Sequence, residues 1–239
     1  MEIDAFLDLV RRRRSVRRFK PDPLPEGSVE KILDAARWAM SGANGQPWEF
    51  IVVKDKALKD KIVQAHKESR RHVRVIEETR IKEFRHPGVS SQEEEPGFKD
   101  APVFIVVCAD PRTFQATVLS SHFYAGEGGP MATFLKNVAN ATQLIHLAAA
   151  SMGLGAQWVS VNHMWEPQVK HALGIPQVLS VHTIVPIGYP AYKTAPPYRR
   201  KLDELVHYDG YDKSKFREDE QVQEFLLGLR QRTTSAYKV

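Results

Sequence analysis

The segment from Met131 to Met152 limits the folds open to this chain more than any other stretch. Apolar residues cover much of its circumference when it is drawn as a helix, and Gly153 and Gly155 follow directly. A helix that is apolar on most sides has to be enclosed by other elements, because it has no broad polar face to give to water. The sequence therefore predicts a central helix here, ended by the two glycines.

Short apolar runs rich in strand-forming residues predict four buried strands. They are Trp48–Val53, Val103–Ala109, Ala156–Val161 and Val181–Ile187. Periodicity and composition predict further helices in the regions 3–10, 29–39, 56–84 (one helix or a pair), 167–174 and 222–229. Helices and strands interleave without a strict βαβ rhythm, and no repeat or linker divides the chain. We therefore expect residues 1–239 to form a single α+β domain, with a mixed sheet flanked by helices.

Composition narrows the protein class and the kind of partner. The 239 residues carry a formal charge of +5 and include a single cysteine, Cys108. No disulfide within the chain can form, which suits a reducing compartment. No apolar run approaches the ~20 residues of a membrane span, and the acidic N-terminus does not resemble a secretory signal. We expect a cytoplasmic protein with an anionic partner: nucleic acid, a phosphorylated cofactor or an acidic membrane surface.

Several kinds of site are disfavoured by the motifs. The nine histidines are scattered and do not form the i, i+4 pair with glutamate of a zinc-hydrolase helix, so we expect no metal site. The glycines at 126, 128 and 129 lack the lysine and serine of a phosphate-binding loop. No dinucleotide-binding glycine motif and no nucleophile elbow occur. The irregular stretch at 110–130 is a candidate lid over a pocket, because loops of this length in compact domains are often functional.

Three polar segments remain as a candidate site. The first contains Arg13, Arg14, Ser15 and Arg17, the second is the turn at 41–48, and the third is the basic cluster at 199–204. A basic run alone is usually a solvated face. Two basic clusters together with a turn rich in amide and hydroxyl groups form a stronger pattern, since arginine binds phosphate oxygens in bidentate fashion.

At these positions the chain resembles the FMN-dependent nitroreductases. The resemblance lies in RRSVRRF at 13–19, SGANGQPWEFIVV at 41–53, GLGAQWVS at 153–160, PIGYP at 186–190 and RRKLDELVHYDGY at 199–211. It implies a mixed sheet flanked by helices, in an intertwined homodimer that holds two FMN molecules at the subunit interface. FMN carries a phosphate with nearly two negative charges, which two or three arginines can hold without a covalent link.

The resemblance also implies roles for residues at the two ends of the chain. Arg13, Arg14 and Ser15 match positions that hold the FMN phosphate and the pyrimidine side of the ring. Arg17 matches the basic residue near flavin N1 and O2, where a fixed cation favours the negative charge of the reduced state. Arg199, with Arg200, matches a second phosphate anchor.

Two further groups of matching residues lie in the middle of the chain. One belongs to the turn that contacts the flavin of the other subunit, and it comprises Met40, Ser41, Gly42 and Asn44. The other comprises Ser160 and Val161, where the family presents a hydrogen-bond donor to flavin N5.

The resemblance leaves the branch of the family open. Met40 stands where members usually carry proline, so its contact can be made by backbone alone. The SGA-x-x-x-PW pattern and the lack of an acidic residue at 160 favour the iodotyrosine-deiodinase branch. The absence of any tyrosine before Tyr124 argues against halotyrosine as the substrate. Benzimidazole synthases and dehydrogenases of peptide-derived rings also belong to the family.

We therefore expect an FMN-containing homodimeric oxidoreductase. It passes a hydride from NAD(P)H, via flavin N5, to an electron-poor aromatic acceptor such as a nitroaromatic or quinone, with Ser160 and Arg17 as its catalytic residues. The alternative in the same class is reductive dehalogenation or another specialised flavin reaction. The alternative in a different class is a basic nucleic-acid-binding module.

Overall fold

The computed structural model describes residues 2–81, 95–113 and 129–236 of the chain. Their contacts group the chain into two compact units, Met1–Lys193 and Thr194–Val239. The single domain expected over residues 1–239 stays a prediction. Most of the candidate lid at 110–130 lies outside the described residues.

The first unit contains the predicted strands and every predicted helix except the one at 222–229, and most of these elements lie close to the expected bounds. Its helices are α1 (Ile3–Arg12), α2 (Ser28–Ala36), α3 (Lys56–Glu78), α4 (Gly129–Ser151) and α5 (Glu166–Leu173), with a 3-10 turn at Gly42–Asn44. Its strands are β1 (Trp48–Val53), β2 (Val103–Ala109), β3 (Gly155–Ala156), β4 (Val159–Ser160) and β5 (Ser180–Gly188). The second unit has a 3-10 turn at Lys213–Lys215 and helix α6 (Asp219–Ala236).

Helix α4 ends where the sequence predicts. Gly153 has a φ of 74°, in the left-handed region that glycine occupies without strain. The N–H of Leu154 donates to the carbonyl of Ala149 at 2.9 Å, and the N–H of Gly153 donates to that of Ala150 at 3.1 Å. This pair of bonds is a Schellman motif, which satisfies the last carbonyls of the helix and directs the chain into β3.

The five strands form one sheet in the order β1-β2-β5-β3, with β4 also paired to β5. All named strand pairs are antiparallel, whereas the bridge between Ser15 and Ala156 is parallel. The expected strand at 156–161 is confirmed as β3 and β4, which share one register against β5. It is interrupted opposite Pro186, because proline has no N–H to complete the ladder.

The core lies on both faces of this sheet, as expected of an α+β fold. One face packs against α2 and α4, where Ile32, Val138 and Ile145 are buried. The other face packs against α3 and α5, where Trp165 is 1% exposed. The prediction that α4 is central is confirmed: it contacts α1, α2, β2 and β3.

Helix α1 differs from the other helices in what it buries. Leu9 is its buried residue, whereas Ile3, Phe6 and Val10 are 66%, 41% and 41% exposed. The predicted helix is therefore confirmed, but Ile3, Phe6 and Val10 are not covered by the described part of this chain.

Candidate functional site

The arginine-rich segment lies along the open edge of the sheet, next to β3. The N–H of Val16 donates to the carbonyl of Ala156 at 3.0 Å, and the N–H of Lys20 donates to that of Tyr189 at 2.9 Å. Val16 and Phe19 are buried, while the residues between them are exposed. These two buried apolar side chains therefore fix the backbone and leave Ser15 and Arg17 at the surface.

Two glycines allow this segment to lie close to its neighbours. A Cβ on Gly155 would come within 2.6 Å of Val16 Cγ2, and a Cβ on Gly97 would come within 2.2 Å of the carbonyl oxygen of Arg17. Neither distance is compatible with a side chain unless the neighbour moves. The backbone of the arginine segment is therefore held on two sides.

The arginines differ in what their side chains contact. The guanidinium of Arg14 donates to the carbonyls of Arg11 and Arg13, at the C-terminal end of α1, where a cation also complements the helix dipole. Arg13 is half-buried and contributes a positive charge next to His146 of α4. Arg17 is exposed.

His146 is a buried polar side chain that sequence analysis missed. It is 5% exposed, and neither ring nitrogen has a hydrogen-bond partner among the described residues. Its ring stacks on Trp158, with centroids 6.5 Å apart. Burial, together with the charge of Arg13, lowers its pKa to about 4, so the ring is neutral at pH 7. A lone histidine within the apolar run of α4 was the available signal.

Ser160 lies on the same sheet edge as the arginine segment. The N–H of Val161 donates to the carbonyl of His182 at 3.2 Å, so its amide is already used within the sheet. Hydrogen-bonded and non-bonded pairs alternate in an antiparallel ladder, so the pair of Ser160 and Thr183 is non-bonded. The N–H of Ser160 therefore points away from β5, towards the open edge.

A β-bulge in β5 accompanies Ser160. Val107 pairs with Thr183 and Cys108 pairs with Val181, which leaves His182 as an extra residue. The His182 ring lies edge-on to Phe134 of α4, with centroids 5.4 Å apart. Its Nε2 is 3.1 Å from the Oγ of Ser180, and burial lowers its pKa.

The second predicted segment forms a strained turn, here named the 40–46 turn. Ala43, Asn44 and Gln46 have φ values of 51°, 52° and 43°, in the left-handed region that side chains other than glycine seldom adopt. Ser41 Oγ accepts a hydrogen bond from the N–H of Gln46 at 3.0 Å, which closes the turn. The side chain of Met40 is 80% exposed.

Helix α4 holds this turn through two asparagines that sequence analysis did not identify. Asn137 Oδ1 accepts from the N–H of Gly42 at 3.1 Å. Asn140 Nδ2 donates to the carbonyl of Met40 at 3.1 Å. The only signal in the sequence was two asparagines three residues apart in a largely apolar helix.

The third predicted segment belongs to the second unit. Arg199 Nη1 donates to the carbonyl of Tyr198 at 2.8 Å, and its side chain is exposed. Arg200 forms an ion pair with Glu204, with Nε and Oε2 3.2 Å apart. Because these arginines and Arg13 belong to different units, their convergence on one phosphate stays a prediction.

The first unit thus brings two of the predicted groups to one sheet edge. Ala156, next to Ser15, and Ser160 are four residues apart, and extended backbone separates them by about 13 Å. Cationic side chains lie at one end of this edge and an outward N–H at the other. In the described ranges no three His, Cys, Asp or Glu residues cluster as metal ligands, and no helix is long and apolar enough to cross a membrane.

The fold and this edge define an α+β protein with a site suited to an elongated anion. Residues 10–189 match the profile of the Nitroreductase family. The chain therefore belongs to the nitroreductase family, a class of flavoprotein oxidoreductases, and the resemblance found in the sequence is confirmed.

Individual relatives agree with this assignment. The chain is 31% identical over 200 residues to 5,6-dimethylbenzimidazole synthase of Rhodospirillum rubrum, covering 83% of this chain and 88% of that protein. It is 29% identical over 208 residues to NADH dehydrogenase of Thermus thermophilus, covering 82% and 91%. A crystal structure of oxidized iodotyrosine deiodinase bound to FMN and 3-iodo-L-tyrosine superimposes with a TM-score of 0.65 at 24% identity, covering 86% and 99%. At that identity, the last match supports the fold alone.

Proposed function

We propose that this protein is an FMN-dependent oxidoreductase that uses NAD(P)H to reduce an electron-poor aromatic acceptor, such as a nitroaromatic or a quinone. Bound FMN would supply the redox chemistry, which is the transfer of a hydride from NAD(P)H to the acceptor through N5. The protein binds the cofactor, orients the acceptor and stabilises charge. The observation that carries the proposal is the sheet edge that joins the arginine segment to Ser160.

The residues present fit FMN. The edge offers cations at one end for a phosphate and an outward N–H about 13 Å away for a ring nitrogen. Beside Arg13, the buried ring of His146 has two nitrogens without a partner among the described residues, as expected near a site completed by a ligand. Arg13 and Ser15 would hold the phosphate end, and the sequence resemblance assigns Arg199 to a second phosphate anchor.

Two side chains would influence the reaction itself. A cation at Arg17 lowers the free energy of negative charge that develops on a neighbouring ring system, without reorganisation at the moment of reaction. A hydrogen-bond donor at Ser160, either its outward N–H or its hydroxyl, would hold a proton near the atom that receives the hydride. We name these two residues as catalytic.

Two surfaces support the homodimer. The exposed apolar residues of α1 need cover by another surface, since contiguous apolar patches are rare on isolated proteins. The 40–46 turn is held in one shape while its Met40 and the neighbouring Trp38 are 80% and 73% exposed. A rigid turn with exposed apolar side chains suits contact with a second subunit, where Ser41, Gly42 and Asn44 would meet the partner's flavin.

A second candidate is a specialised reaction of the same cofactor. The relatives named 5,6-dimethylbenzimidazole synthase and iodotyrosine deiodinase favour this possibility, and both match most of the chain. Reductive dehalogenation of a halophenol would use the same edge and the same donor at position 160. The choice depends on residues that would contact the acceptor.

The experiment begins with the spectrum of the purified full-length protein. The proposal predicts flavin absorbance, release of FMN on denaturation in a ratio of one per chain, and a dimer in solution. NADH and NADPH oxidation is then followed with a panel of nitroaromatics, quinones and halophenols. A colourless protein that takes up no added FMN, and whose affinity for DNA or RNA falls steeply with salt, would instead favour the nucleic-acid-binding alternative.

A pair of matched variants tests the site. Arg17→Gln removes the cation at the edge, and Arg18→Gln makes the same change at the adjacent exposed position, which the resemblance does not assign. We expect turnover to fall in the first variant and to stay near wild type in the second. Equal turnover in both would remove Arg17 from the catalytic residues.

A further inference from the structure

The clearest unassigned arrangement is the contact between α4 and the 40–46 turn. Asn137 and Asn140 lie on one face of the helix, since residues three apart are neighbours. They bind the backbone on either side of Ser41, one at the N–H of Gly42 and one at the carbonyl of Met40. The partners lie 95 and 100 positions away in sequence, so this contact depends on the tertiary fold.

The orientation of each amide is set by its partner. An N–H can only donate, so Asn137 must present its oxygen to Gly42. A carbonyl can only accept, so Asn140 must present its nitrogen to Met40. The two side chains therefore do opposite work: the first supplies an acceptor, and the second supplies a donor.

The turn needs such support because its conformation is unfavourable. The left-handed conformation costs an L-residue roughly 1–2 kcal/mol, somewhat less for asparagine. Ala43, Asn44 and Gln46 all adopt it. Strained backbone of this kind persists only where the surroundings fix it, and it is concentrated at ligand-binding sites. Asn137 is 6% exposed, so its hydrogen bond is shielded from competing water.

We propose that Asn137 and Asn140 are positioning residues that hold the 40–46 turn in the shape with which it contacts FMN. This inference rests on the proposed function, in which the turn contributes to the cofactor site. It adds residues of α4 that act on the cofactor site through the backbone of the turn.

Substitution by aspartate separates the two roles. Asn137→Asp keeps an oxygen that accepts from Gly42, whether the carboxyl is ionised or protonated. Asn140→Asp replaces the donor with an ionised carboxylate that cannot donate and that repels the carbonyl of Met40. We expect Asn137→Asp to bind FMN within about threefold of wild type and Asn140→Asp to bind it about tenfold more weakly, the effect of one lost hydrogen bond. Gln143→Glu, on the exposed side of α4, is the matched control and should bind as wild type.

The test uses the full-length protein and two measurements. FMN is removed, and the dissociation constant is measured from the quenching of flavin fluorescence on rebinding. Hydrogen exchange of the amides at 41–46 is measured on the same proteins without FMN, with urea unfolding as the check on global stability. Exchange should be faster than wild type in Asn140→Asp and close to wild type in Asn137→Asp. Asn137→Leu, which has no acceptor, should expose the Gly42 amide to exchange.

The outcomes distinguish this inference from the proposed function. If the wild-type protein binds no FMN, the proposed function is wrong. In that case, unequal amide exchange in the two aspartate variants still supports the role of the asparagines in holding the 40–46 turn. FMN binding in wild type with equal affinity and equal exchange in both variants overturns the inference alone. So does an Asn137→Leu protein whose Gly42 amide exchanges as slowly as in wild type.

Discussion

Replacing Gly155 with alanine gives the sharpest test of how the arginine segment is held. The new Cβ would lie 2.6 Å from Val16 Cγ2, 2.7 Å from its Cβ and 3.0 Å from its Cγ1. Val16 is 3% exposed and its N–H is bonded to Ala156, so it has little room to move away. Overpacking of this kind lowers the free energy of unfolding by about 1–3 kcal/mol. Alanine also reduces the conformational entropy of the unfolded chain, which raises the free energy of unfolding by about 0.4–1 kcal/mol. We expect a net loss of about 1–2 kcal/mol.

Urea unfolding of the FMN-free protein measures this loss. With an m value of about 2 kcal/mol/M, the midpoint should fall by about 0.5–1 M while m stays constant. Gly228→Ala is the control, because its new Cβ meets nothing within 4 Å and alanine favours the helix. Val16→Ala removes two of the crowded atoms, so the double variant should lose less than the sum of the single losses. A midpoint for Gly155→Ala at or above wild type would refute the tight contact between Gly155 and Val16 that holds the arginine segment.

Three other substitutions test the cofactor anchor, a buried histidine and the core. Arg199→Ala should weaken FMN retention on dialysis by tenfold or more, because one charge-assisted hydrogen bond is lost, whereas Lys201→Ala should not. If the Arg199→Ala protein retains as much FMN as wild type, Arg199 does not belong to the site. Burial lowers the pKa of His66 and of His146 to about 4, below the ordinary 6.5, so the unfolded chain binds more protons between these values. Stability should therefore decrease as pH falls from 6.5 towards 4, by up to about 3 kcal/mol for each residue. His146→Gln should make the urea midpoint less dependent on pH over this range. An unaltered pH dependence contradicts the lowered pKa of His146. Trp165→Ala, at a side chain that is 1% exposed, should lower the free energy of unfolding by about 3–5 kcal/mol, and a loss below 1 kcal/mol would mean that Trp165 is not a core anchor.

Local patterns were sufficient for most elements of the fold. Trp48–Val53 and Val103–Ala109 match their predicted bounds, because a buried apolar run shows its limits in the sequence. The break at 157–158 could not be predicted in the same way. It depends on Pro186 in the neighbouring strand, and thus on the register between β5 and the edge.

The candidate site was predictable in position but not in contacts. The arginine run and the turn at 41–48 were visible as patterns, and their resemblance to a known family suggested roles. The tertiary contacts were not visible. The hydrogen bonds of Asn137 and Asn140 join residues 95 and 100 positions apart, and the bulge at His182 exists only relative to β2. Such features depend on the register between strands and on helix packing, and neither can be predicted from a single stretch of sequence.

The pairing of Val16 with Ala156 has a consequence for solubility. An uncovered edge strand offers a row of free amide and carbonyl groups to which a strand of another molecule can add. Residues 15–20 occupy part of that edge, so a deletion that removes them would uncover it and also remove Ser15 and Arg17 of the candidate site. The same deletion would then cause both the loss of cofactor binding and a tendency to polymerise. Forms of this protein that lack residues 15–20 should be recovered mainly as aggregates.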